Sequence, residues 1–116
     1  MNMLDIRKRL ADFAGARDWD QFHCPKNLSM GLAAEAAELL EIFQWLTEEQ
    51  SCGIVNDEKE MRHVREEIAD VFIYLVRLAD KLNVDIEKAV LEKIGVNESR
   101  YPVELSKGSA TKFSRR

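Results

Sequence analysis

The sequence predicts an all-α fold, a bundle of about four helices. Three observations carry that prediction. The long segments repeat their apolar residues with a period of about 3.6. The strict alternation of a half-buried strand occurs nowhere. Turn formers and helix caps separate the periodic segments. With 116 residues, 46% hydrophobic and 33% charged, the chain suits a single globular domain rather than a disordered one.

The first helix is expected from Asn2 to about Ala16, with Leu4, Leu10 and Phe13 on its apolar face, Ile6 and Ala14 beside them, and Gly15 as its stop. The loop RDWDQFHCPKN follows, rich in aromatic side chains and closed by Pro25. Those aromatics either pack over the core or form a wall for a planar ligand. Asn27 then serves as N-cap of a helix reaching Leu46, whose apolar stripe holds Leu28, Leu32, Leu39, Ile42, Phe43 and Leu46. Thr47 to Ile54 reads as a break. Asn56 or Asp57 starts a second long helix to about Asn83, facing inward with Met61, Val64, Ile68, Val71, Phe72, Leu75, Leu78, Ala79 and Leu82. Ile73 and Val76 point away from the centre of that face, so a second burying partner, and hence an oligomer, is expected. Asp85 caps a last helix to about Arg100, with Ile86, Ala89, Val90, Ile94 and Asn97 as its inner stripe, and Tyr101-Pro102 ends it. The expected division is a helical domain over 1–102 and a basic, flexible tail over 103–116.

Charge narrows the function classes. The tail carries four Lys/Arg against Glu104, so the overall −4 leaves −7 on residues 1–102. An acidic body argues against binding a nucleic-acid polymer, while leaving room for a nucleotide that arrives with a divalent cation. Cys24 and Cys52 match no zinc or redox spacing. The N-terminus MNMLDIRKRL lacks the apolar region of a secretion signal, and the longest apolar run, Val71 to Val76, is too short to span a membrane. A cytoplasmic protein without membrane contact is expected.

The chemistry lies in carboxylates placed against apolar faces. Glu35 sits in the middle of its helix's apolar stripe and Glu38 on its shoulder, whereas Glu41 lies on the outer side as a solvated charge. Burying an ionised carboxylate costs several kcal/mol unless something pairs or coordinates it. Glu67 and Asp70 repeat the spacing at the edge of the next long helix's face. Antiparallel packing brings the two pairs opposite one another, where four carboxylates repel strongly. A hard divalent cation resolves that conflict, and Mg²⁺ completes its shell with waters and substrate phosphates. A di-iron bundle would need a Glu-x-x-His pair on each of two helices. Only Glu60 and His63 supply one, since His23 lies in a loop.

The helix AEAAELLEIFQW, the EEIAD segment and the closing KIGVNESRYP together resemble the MazG-like nucleoside triphosphate pyrophosphatases, and HCPKNL, FQW and NESRYP are similar to their small dCTP pyrophosphatase branch. The resemblance covers roughly residues 19–103. It implies an all-α, Mg²⁺-dependent house-cleaning enzyme that hydrolyses a nucleoside triphosphate between the α and β phosphates, with dCTP or a modified deoxynucleotide as substrate. It implies Glu35, Glu38, Glu67 and Asp70 as metal ligands, with Glu38 the first choice for orienting the attacking water. Trp19, His23 and Trp45 match positions that line the pyrimidine pocket. Lys93, Asn97 and Arg100 share one side of the last helix and match phosphate contacts, joined by Tyr101. The resemblance also implies a homodimer or homotetramer with sites formed between chains.

Two positions depart from the pattern. Ala34 stands where many members carry a further glutamate, which opens the question of metal number. Gly95 and Val96 interrupt the last helix where a lysine is expected before Asn97, and a helix-interior glycine costs about 1 kcal/mol relative to alanine. A different class of function, a catalytically silent helical interaction module that keeps the fold, is separated from the enzyme by turnover alone.

Overall fold

The computed structural model describes residues 2–112, and within them every regular element is helical. Four longer helices, α1 (Met3–Ala16), α2 (Pro25–Phe43), α4 (Glu58–Lys81) and α5 (Ile86–Arg100), are accompanied by two short ones, α3 (Glu48–Gly53) and α6 (Val103–Ser106). The expected all-α fold is therefore observed. Among the described residues no helix is long and apolar enough to cross a membrane. The chain divides into two compact units, 1–83 and 84–116.

Local side-chain chemistry sets the helix ends. The side chain of Asn2 accepts from the backbone N–H groups of Leu4 and Asp5, Asp57 from Glu60, and Asp85 from Lys88. Of the two starts open for α4, Asp57 is the one used. α2 begins earlier than the sequence suggested: Cys24 is its N-cap, Pro25 occupies the first turn, and Asn27 instead donates from its side-chain amide to the Phe22 carbonyl. Proline's fixed φ suits a first helical turn, which explains the displacement. α2 also stops at Phe43, leaving Trp45 and Leu46 in the turn beyond it. The expected break after Leu46 contains α3, opened by a capping box in which Thr47 and Gln50 satisfy each other's backbone N–H. The turns after α1 and α4 use left-handed backbone at Asp18 and Asn83, residue types that tolerate it.

In unit 1, α2 packs mainly against α4, and α1 against α4. Leu28 shares a cavity with Arg77, Gly31 meets Tyr74, Glu35 meets Glu67, and Ile42 shares a groove with Glu60. Positions rising along α2 thus meet positions falling along α4, so the two helices are antiparallel. The core is small: Ala14, Leu28, Val64, Val76 and Ala79 are its buried hydrophobic residues.

Val76 corrects the sequence reading. Expected on an outer face, it is only 2% exposed. It stands one turn before Asp80, whose carboxylate accepts from Arg7 Nε of α1 at 2.6 Å, so α1 closes this side of α4 within the chain. The uncovered side holds Ile68, Leu75 and Leu82, spaced seven apart and expected on the apolar face. In unit 2, α5 has no buried residue; Val90 and Ile94, expected on an inner stripe, are exposed, as is Leu91. Residues 113–116 of the expected tail lie outside the described residues, and α6 falls within its first part.

Candidate metal centre and adjoining pocket

The α2–α4 contact brings Glu35, Glu38 and Glu67 together, with one carboxylate oxygen from each lying within 4.8 Å of the others. Their spacing explains the convergence. Glu35 and Glu38 are three apart on α2, hence on one side of it, and the antiparallel neighbour presents Glu67 to that side. Glu67 is only 8% exposed, Glu35 is half-buried and Glu38 is exposed.

The electrostatics of this cluster are unresolved by the protein itself. Burial, then the closeness of the Glu67 and Glu38 carboxyls, then the negative charges of Glu38 and Asp70 push the Glu35 carboxyl from 4.5 up to about 7. Asp70 thus acts on Glu35 by its charge, although it stands outside the tight three-glutamate group. Two oxygens, Glu35 Oε2 and Glu67 Oε2, are buried without a hydrogen-bond partner among the described residues. His63 Nε2 lies 3.7 Å from Glu67 Oε1, a weak partner for one oxygen of the pair. Buried acceptors left unpaired are costly, and a cation satisfies them at once. All the donors are carboxylate oxygens, which suits a hard ion such as Mg²⁺. The residues fit a divalent metal.

One turn along the same helices lies a cavity of about 160 Å³, whose lining includes Phe13, Trp19, His23, Leu28, Tyr74 and Arg77. Gly31 and Tyr74 form the boundary between cavity and carboxylates, being one turn from Glu35 and Asp70 respectively. A β-carbon at Gly31 would lie 2.8 Å from Tyr74 Cδ1 and 2.9 Å from Cζ, and closer still to Cε1. The absence of a side chain at Gly31 is what lets the tyrosine ring approach α2 this closely. The Trp19 indole meets Phe13 edge-to-face, with centroids 5.5 Å apart, and the Arg17 guanidinium covers Phe13 from 3.7 Å.

A charged network holds the loop that carries Trp19 and His23. Arg77, 5% exposed, donates to Asp20 Oδ1 at 3.0 Å, to Asp80 Oδ2 at 3.3 Å and to His23 Nδ1. Lys81 Nζ reaches Asp20 Oδ1 at 2.6 Å. The hydrogen bond from Lys81, reinforced by Arg77, holds the Asp20 carboxyl below its ordinary value, while burial and then the charge of Arg77 lower the His23 imidazole.

The expected site residues therefore fall into groups. Glu35, Glu38 and Glu67 converge, with Asp70 beside them. Trp19 and His23 share the cavity. Trp45, 86% exposed beyond the end of α2, does not line it. Lys93, Asn97 and Arg100 lie on α5 and Tyr101 at its end, all in unit 2. The sequence reading missed Tyr74, Gly31 and Arg77. A cation inside the apolar run VFIYLVRLA was the available signal for Arg77, because a buried guanidinium demands acceptors.

Comparison with known proteins identifies the family. The model of the MazG-like family matches residues 32–115. The chain is 46% identical over 110 residues to dCTP pyrophosphatase 1 of Rattus norvegicus and 44% identical over 110 residues to that of Homo sapiens. Each match covers 95% of this chain, which spans 65% of the length of these curated relatives. A crystal structure of a pyrophosphatase from Archaeoglobus fulgidus superposes with a TM-score of 0.79 at 39% identity, covering 86% of this chain and 92% of that one. With Glu35, Glu38, Glu67 and Asp70 all inside the matched region, the chain belongs to the MazG-like family.

Proposed function

We propose that the protein is a Mg²⁺-dependent nucleoside triphosphate pyrophosphohydrolase that cleaves dCTP or a modified deoxynucleoside triphosphate to the monophosphate and pyrophosphate. The observation that carries this reading is the pair of orphaned buried oxygens of Glu35 and Glu67 inside a three-glutamate cluster. The dCTP pyrophosphatase relatives support the choice of substrate.

Glu35, Glu38, Glu67 and Asp70 would hold the cation. Bound there, it supplies charge neutralisation of the triphosphate and acidification of water. The remaining work belongs to the chain's own residues. Glu38, the exposed member of the cluster, accepts the proton of the attacking water. The cavity beside Tyr74 receives the base, with the Trp19 indole as a stacking face and His23 as its polar contact. Because the cavity adjoins Asp70 and Glu35, a base seated in it directs its phosphates toward the carboxylates. Lys93, Asn97, Arg100 and Tyr101 bind the phosphates, while Trp45, at the opposite end of α2 from the cavity, would meet the base only from a second copy of the chain. Phosphoryl chemistry of this kind needs positioning and charge stabilisation more than covalent help.

The functional form is a homodimer or homotetramer in the cytoplasm. The uncovered row Ile68, Leu75 and Leu82 on α4 and the exposed apolar side chains of α5 support association. A core with Leu28 and Val76 as its largest fully buried side chains is meagre for this chain length.

The test is a panel of canonical and modified nucleoside triphosphates incubated with Mg²⁺, with monophosphate and pyrophosphate measured. Turnover of deoxycytidine triphosphates above the others is expected. A folded protein that turns over no triphosphate would instead be a silent helical module.

A further inference from the structure

Arg77 is a buried charge with three side-chain partners among the described residues, Asp20, Asp80 and His23, and the proposed hydrolysis gives it no task. Its guanidinium sits between the loop 18–24 and α4, with Asp20 and Asp80 as its acidic acceptors. The two carboxylates engage only its Nη1 and Nη2 groups. Its Nε is 3.3 Å from His23 Nδ1, and Nη2 is 3.2 Å from the same atom. A guanidinium only donates and does not lose its proton in proteins. His23 Nδ1 must therefore be an unprotonated acceptor. In a neutral imidazole the other nitrogen, Nε2, then carries the hydrogen.

We propose that Arg77 is a positioning residue that locks His23 as a hydrogen-bond donor at Nε2, so that the cavity recognises a ligand through an acceptor atom. The class of ligand group selected is a carbonyl oxygen or an unprotonated ring nitrogen of a planar heterocycle. A ligand edge that only donates, such as an exocyclic amine, is rejected there because two N–H groups would face each other. This rests on the reading of the cavity as the base pocket, and it adds which edge of the base His23 reads and what fixes that choice.

The surroundings agree. Protonating His23 would place a second hydrogen at Nδ1, against the Arg77 N–H groups, and the Lys81 ammonium on Asp20 adds another positive neighbour. Of the charged groups around the ring only Asp20 favours the imidazolium, and its carboxylate is already engaged by Arg77 and Lys81. Burial and the Arg77 charge accordingly lower the His23 pKa. The ring stays neutral and single-tautomer where the enzyme works.

The chain has two histidines, so long-range ¹H–¹⁵N spectra of the ¹⁵N-histidine-labelled 116-residue chain resolve the question. The His23 pattern is identified by its loss in His23→Gln. In the nucleotide-free wild type, Nδ1 is expected to be entirely of the unprotonated type and Nε2 entirely of the protonated type. In Arg77→Lys, which keeps the charge on Asp20 and Asp80 but loses the planar fork, His23 is expected to become a tautomer mixture with a higher pKa. An Nδ1-protonated or averaged ring in the wild type overturns the proposal without any variant, so a poorly folded Arg77→Lys does not shield it. A well-folded Arg77→Lys that keeps the pure wild-type pattern also overturns it. A parallel titration with dCMP tests the pocket reading separately. Movement of the His23 Nε2 resonance supports it, and no movement removes the base from this cavity while leaving the tautomer result standing.

Discussion

Replacing Glu35 by glutamine should stabilise the metal-free protein in alkaline solution, even though it removes a residue of the proposed site. Glu35 shares one space with Glu38 and Glu67, and its carboxyl is pushed from 4.5 up to about 7, chiefly by burial. Between those values the folded state holds a proton that the unfolded state has released. Stability is therefore fully present below 4.5 and is lost as pH rises through about 7. At about 1.4 kcal/mol per pH unit, the loss amounts to roughly 3 kcal/mol. Glutamine keeps the shape and can donate to a neighbouring carboxylate, so the variant should not show this decline. At pH about 8 without metal it should exceed the wild type by up to roughly 3 kcal/mol, a midpoint about 10 °C higher for a chain of this size. Asp20, whose carboxyl is held below 3.8, loses its contribution only at lower pH and does not interfere with this window. Mg²⁺ should reverse the order. At about 100-fold excess over its dissociation constant a ligand of the folded state adds about 2.7 kcal/mol, and only the wild type should gain that amount. The assay is urea unfolding followed by circular dichroism from pH about 5 to 8, with and without Mg²⁺, at one fixed protein concentration. A variant less stable than wild type at pH about 8 without metal, or a wild type whose stability does not fall across the window, would refute the reasoning.

Glu38→Gln should lower turnover by about 10²–10⁴-fold while leaving helicity intact, since it removes the proton acceptor and spares the buried pair; steady-state rates and circular dichroism check both halves. Gly31→Ala should force the Tyr74 ring off α2, costing about 1–3 kcal/mol in unfolding free energy and raising KM more than it lowers kcat. Denaturation and a kinetic titration measure the two effects.

Much of the fold could be read from the sequence because its signals are local. Asp57 and Asp85 are caps visible one turn ahead of their helices, and both perform that task. Thr47 and Gln50, three apart, were an equally local signal for α3, hidden in a stretch that otherwise looks like a loop. The start of α2 was misplaced because Pro25 can either end a loop or open a helix, and the φ it imposes fits both. The convergence of Glu35, Glu38 and Glu67 was legible because carboxylates on apolar faces conflict with packing, and that conflict needs no tertiary knowledge to detect. Which side of α4 is closed was not legible. It depends on α1 arriving beside Val76 and Asp80, and the apolar pattern of a two-sided helix does not say which neighbour takes which side. The Arg77 network was beyond reach for the same reason, since Asp20 and His23 are brought to it across 57 and 54 positions of sequence.

The central claim is that two antiparallel helices build a carboxylate cradle for cleavage between the α and β phosphates. The most direct measurement is ³¹P NMR of dCTP incubated with the protein and Mg²⁺. The expected spectrum shows the triphosphate converting to dCMP and pyrophosphate, with no orthophosphate formed. Conversion to dCDP and orthophosphate, or an unchanged triphosphate in the presence of folded protein, would contradict it.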